Sequence, residues 1–177
     1  MFRRFVWLAG SILVCVTNAF AVEDGFRAVF WNLESGDSDN RHIANQMIEK
    51  KDVDFWGLSE VNDQRALSTF EKALEKAHRT DYVAKLSREG GGERLAVLHR
   101  SDRFEGVPYT GRARIDHLGA HFFEVDSINV GGTVRPGLAI QLREKESKRE
   151  YIVMVNHWKC CGGDDDKARR AEQAAAM

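Results

Sequence analysis

The sequence predicts a mixed α/β (α+β) domain built around one large sheet. Three observations predict it. Strand-like and helix-like periodicities alternate between residues 26 and 78. A succession of short apolar segments with tight connections fills residues 81 to 142. A last core segment, YIVMVNH (151–157), then runs into a glycine turn and a helix. Alternation opens a layered α/β domain, and runs of consecutive strands are the mark of α+β architecture.

FRAVFWN (26–32) is a short apolar run ending in polar residues, hence a strand. DSDNRHIANQMIEKK (37–51) places Ile43, Met47 and Ile48 at helical spacing, with Asp39 or Asn40 available as a cap. DVDFWGLSEV (52–61) is nearly continuous in apolar character, as for a strand buried on both faces. ALSTFEKALEKAH (66–78) is a second amphipathic helix. DYVAKLS, ERLAVLHR, FEGVPYT, HFFEVDSINV and RPGLAIQL read as successive strands, and Gly131-Gly132 suits a hairpin. Asp164 to Asp166 would then cap a helix beginning near Lys167. No repeat or linker divides the chain, so residues 22–177 are one domain.

Composition narrows the function classes. A hydrophobic fraction of 43% and four tryptophans fit a packed core rather than a disordered chain. Lys+Arg is 26 against Asp+Glu 27, so no overall basic field draws the chain to nucleic acid or an anionic membrane. Any phosphate recognition has to be local. Residues 1–21 read as a secretory signal peptide: Arg3 and Arg4, an apolar run from Phe5 to about Val16, then Ala19-Phe20-Ala21. The competing reading is a retained single-span anchor. A lipoprotein is disfavoured because Ile12-Leu13-Val14 before Cys15 lacks a small residue. Cleavage after Ala21 removes two arginines and no acid, taking the net charge from −1 to −3, and implies a secreted or periplasmic protein. It also leaves the adjacent Cys160 and Cys161, whose direct bridging would strain the backbone, so a partner cysteine elsewhere is the easier alternative.

Three polar residues end core strands: Asn32, Glu60 and His157. Strand ends of layered sheets present reactive groups on a rigid scaffold. A carboxylate and an amide oxygen are hard ligands for Mg²⁺, Mn²⁺ or Ca²⁺. A histidine donates a proton or a hydrogen bond to phosphate oxygen. Together they point to metal-assisted phosphoester cleavage. Each also has a structural reading: Asn32 as a turn former, Glu60 as a solvent-facing strand end, His157 as a satisfied core histidine.

WNLE (31–34), DVDFWGLSEV (52–61) and NHWK (156–159), in this order, resemble the endonuclease/exonuclease/phosphatase family of DNase I-like nucleases, neutral sphingomyelinases and inositol phosphatases. ERLAVLHRSDRFE (93–105), TVRPGLAIQL (133–142) and ARRAEQAAAM (168–177) look like the same family's later segments. The resemblance implies a four-layer sandwich of two mixed sheets between helices, of which this chain supplies about the first half. It implies that Glu60 binds the metal, that Asn32 supports the metal and phosphate, and that His157 contacts the scissile phosphate and acts as general acid. Arg135 matches a position near the phosphate. The implied activity is that of a secreted, divalent-metal-dependent phosphodiesterase or endonuclease-like hydrolase using Mg²⁺, Mn²⁺ or Ca²⁺. Its substrate would be a phosphate ester, whether nucleic acid, phospholipid head group or small phosphodiester, and no obligate protein partner is inferred.

The family pattern continues with an Asp-x-Asn motif and a terminal Asp-His pair, neither of which follows His157 here. The chain alone is therefore expected to be nearly inactive, since positioning and electrostatic catalysis need all their donors at once, and marginally stable, since a missing second sheet would leave apolar strands uncovered. The alternative is a non-catalytic secreted binding or remnant protein that keeps the front half of the fold. The glycine run in SREGGGERLA (87–96) precedes a strand, not a helix, and reads as a flexible substrate-side loop rather than a phosphate cradle. His157, Cys160 and Cys161 lack a fourth zinc ligand. REKESKRE (143–150) reads as a solvated hairpin tip.

Overall fold

The computed structural model describes residues 25–34, 39–88, 93–111, 115–118, 121–125, 136–157 and 163–176. The expected signal peptide, the glycine run at 90–92, Gly131-Gly132, Arg135 and the Cys160-Cys161 pair lie outside the described residues.

Strand β1 (Ala28–Asn32) leads to helix α1 (Asn40–Ile48), strand β2 (Phe55–Val61), helix α2 (Gln64–His78), and strands β3 (Tyr82–Leu86) and β4 (Arg94–Arg100). These strands form one sheet in the order β1-β2-β4-β3. β1 runs parallel to β2, and the other pairs are antiparallel. Both helices start where the sequence supplies a cap. Asp39 accepts from Arg41 N at 2.9 Å, and Asp63 accepts from Ala66 N at 2.8 Å. Ile43, Ala44 and Met47 of α1 and Ala66, Leu67, Phe70 and Leu74 of α2 cover one face of this sheet, meeting Trp56, Leu58, Ala96 and Leu98. Leu67, Phe70 and Leu74 are fully buried, each such side chain contributing about 2 kcal/mol by area removed from water.

The second half builds a separate sheet: β5 (Phe104–Gly106), β6 (Ile115–His117), β7 (Phe122–Val125), β8 (Gly137–Glu144) and β9 (Glu150–Val155). β8 is central. β9 pairs along one of its sides, while β7 and β5 share the other. The opposite face of the first sheet, with Phe55, Leu95 and Val97, packs on Leu138, Ile140, Leu142, Val153 and Val155 of this sheet. The pattern-based expectation of one large sheet is thus corrected to two sheets packed face to face, the number that the family resemblance implies, and the second sheet expected to be missing is present and covers the apolar strands of the first. Hairpin signals tie strands in pairs, but nothing local marks where a chain changes layer. Among the described residues the second sheet is entirely antiparallel, not mixed. Helix α3 (Asp164–Ala176) begins three residues earlier than the sequence suggests. Asp164 to Asp166 form its first turn rather than its cap, which the helix dipole favours equally. α3 is exposed along most of its length, so the described residues build three of the four expected layers.

One end of the sandwich is tied by ion pairs. Asp54, 2% exposed, accepts from Arg103 Nη1 at 2.7 Å and from Arg27 N at 2.9 Å. Arg103 Nη2 also reaches Glu144 at 2.7 Å. The start of β2, the β4–β5 turn and the end of β8 are joined through one guanidinium. Arg103 gives one N–H to Asp54 and two to a single oxygen of Glu144, and these charge-assisted bonds offset the desolvation that an isolated buried carboxylate suffers.

Candidate active site

Asn32, Glu60 and His157 meet at the opposite end, where β1, β2 and β9 finish. Asn32 pairs with Ser59 across the parallel β1–β2 ladder. Its Oδ1 accepts from Ser59 Oγ at 3.3 Å and from Glu34 N at 3.4 Å. That fixes the amide so that Nδ2 points at Glu60, donating to Oε1 at 3.1 Å. His157 stands two residues beyond β9, and its Nε2 lies 3.1 Å from the same Oε1. Both side chains of that contact are about one-fifth exposed, 19% for His157 and 18% for Glu60, so solvent reaches the cluster from one side.

Strand alternation does not by itself deliver Glu60 here. Trp56 and Leu58 point into the helix-covered face, and a regular strand would send Glu60 after them. Instead the β2–β4 register shifts between Leu58 and Val61, and Glu60 adopts φ 61°. This left-handed conformation costs a non-glycine residue on the order of 1 kcal/mol or more. The bulge turns the carboxylate to the side shared by Asn32 and His157. Such irregularities re-aim side chains next to functional sites.

The structure therefore brings three of the four sequence-nominated residues together on one carboxylate oxygen, and Arg135 lies outside the described residues. Sequence reasoning missed Ser59, whose hydroxyl orients Asn32. The signal was present, because Ser59 and Asn32 fall on the same face of adjacent strands. No group of three or more His, Cys, Asp and Glu able to hold a metal occurs among the described residues. The donor set is one carboxylate, one amide and one imidazole. Around a single carboxylate these groups could serve a largely hydrated Mg²⁺, not an all-protein cage.

Two packed sheets with helices on the outer face of the first, and polar groups converging at the strand ends, define a DNase I-like α+β fold, here in part. Among solved structures the chain is similar to the human Nocturnin catalytic domain with bound sulfate anion, at 18% identity and a TM-score of 0.54. The match covers 85% of this chain and spans 56% of that domain. No family model and no curated protein matches the sequence. The likeness is one of fold.

Proposed function

We propose that the chain carries part of the site of a divalent-metal-dependent phosphoester hydrolase of nuclease or phosphodiesterase type, exported by a signal peptide ending at Ala21. The observation behind this reading is the convergence of Asn32 and His157 on Glu60 Oε1 from three strand ends of two sheets. Glu60 would hold Mg²⁺ or Mn²⁺. Asn32, locked by Ser59, keeps the carboxylate facing the site. A bound divalent ion supplies charge stabilisation on a phosphate oxygen. His157 directs an N–H into the same space and serves as phosphate donor or as general acid toward the leaving oxygen. The substrate is a phosphodiester of nucleic acid, a phospholipid head group or a small ester.

Mn²⁺ titration of the full chain, followed by electron paramagnetic resonance, tests the metal. Wild type should show a site that Glu60→Gln weakens by more than the roughly 10–100-fold typical of outer-sphere changes. Identical titrations of the two proteins would remove the hydrolase reading and leave a non-catalytic binding or remnant protein.

A further inference from the structure

Gly57 lies on the β2 face that packs against β9, three residues before Glu60. A Cβ built on it would stand 2.7 Å from Val155 Cγ2 and 2.6 Å from Phe30 Cε1, with Phe30 Cδ1 closer still. Carbon atoms ordinarily rest about 3.5–4.0 Å apart. The two neighbours differ in what they can yield. Phe30 is 42% exposed and its ring can swing into solvent. Val155 is 4% exposed, short and branched, and belongs to the last position of β9. A side chain at 57 would therefore press on the β9 backbone.

His157 follows Val155 by two residues, just beyond the end of the strand. Its contact with Glu60 spans the two sheets at this end. We infer that Gly57 is a positioning residue: the missing side chain lets β9 close onto β2 and so sets the reach of His157 to Glu60. The inference rests on reading Glu60 and His157 as one site. It adds that the width of the site is determined beneath it, by the one glycine of β2, rather than by the reacting groups.

The test reads the contact directly, in the metal-free full chain at fixed pH. The ¹⁵N and ¹H ring resonances of His157 are compared in wild type, Gly57→Ala, Gly57→Ala/Val155→Ala and Glu60→Gln. Glu60→Gln supplies the signature of the altered contact. Gly57→Ala should move the His157 resonances most of the way to that signature. Adding Val155→Ala, which removes the obstructing methyl, should return them towards wild type. His157 resonances at wild-type positions in folded Gly57→Ala would overturn the inference. If Gly57→Ala gives no dispersed spectrum, the double variant decides. Wild-type-like resonances there support the inference, and Glu60→Gln-like resonances overturn it. A merely destabilising glycine replacement would broaden or lose signals across the chain without moving His157 selectively. The Mn²⁺ titration fails independently of this result, so loss of the hydrolase reading and loss of the positioning role are distinguishable.

Discussion

Acidification should strip the fold of about 3 kcal/mol through His99 alone. This residue of β4 is 1% exposed between the sheets, and its Nε2 has no hydrogen-bond partner among the described residues. Nδ1 donates to the Arg100 carbonyl oxygen at 3.3 Å, which leaves Nε2 a bare acceptor. Burial lowers its pKa from 6.5 to about 4; the Arg100 carbonyl opposes this, while nearby His121 and Lys145 add to it. The folded state thus holds the neutral ring, and the unfolded chain takes up a proton below pH 6.5. The stability from the neutral ring is complete above pH 6.5 and is lost progressively as pH falls to about 4. At about 1.4 kcal/mol per pKa unit, the gap gives roughly 3 kcal/mol. His121, also lowered by burial, adds in the same direction. Urea denaturation from pH 7 to pH 4.5 measures it, with His99→Gln as the non-titrating reference. Wild type should lose stability faster than His99→Gln, by close to one extra proton near pH 5. Parallel pH dependences of the two proteins would refute the reasoning.

Two further outcomes are expected. Arg103→Met should cost about 3 kcal/mol, because Asp54 stays buried without its closest cation, and thermal unfolding should show Asp54→Asn/Arg103→Met recovering much of the loss. Glu60→Gly should leave the urea midpoint equal or higher, relieving a left-handed strain on the order of 1 kcal/mol, while abolishing the Mn²⁺ response.

The first half of the chain was legible because its signals are local. Asp39 and Asp63 cap helices whose apolar stripes are visible in sequence, and β2 announces its burial by continuous apolar character. By local pattern the second half was legible as strands but not as a second sheet, which only the family resemblance implied. The pairing of Leu138 with both Glu124 and Val155 joins segments more than a dozen residues apart, and no short-range pattern carries it. Asn32, Glu60 and His157 could be nominated as strand ends, but their meeting depends on two things outside any local window. One is the sheet-on-sheet packing that brings β9 over β2. The other is the bulge at Glu60, where no glycine or asparagine marks the positive φ. The clasp around Asp54 was missed for the same reason, since its partners Arg27, Arg103 and Glu144 are distant in sequence.

Relative magnitudes explain why the strand breaks where it does. In a regular β2, Glu60 would follow fully buried Trp56 and Leu58 into the helix-covered layer, which is lined by Leu33, Val61 and Ala96. An ionised carboxylate there, without a partner, would cost several kcal/mol. The bulge costs on the order of 1–3 kcal/mol, and it exchanges that apolar layer for two donors at 3.1 Å from Asn32 and His157. Strain is therefore the cheaper arrangement, and the rest of the fold can hold it. β2 is anchored at its start by the Asp54 clasp and is paired on both sides by β1 and β4. The irregularity is confined to the last residues of the strand, at the end where the carboxylate meets solvent. The same chemistry that makes Glu60 intolerable on one face of the sheet places it within reach of the amide and the imidazole on the other.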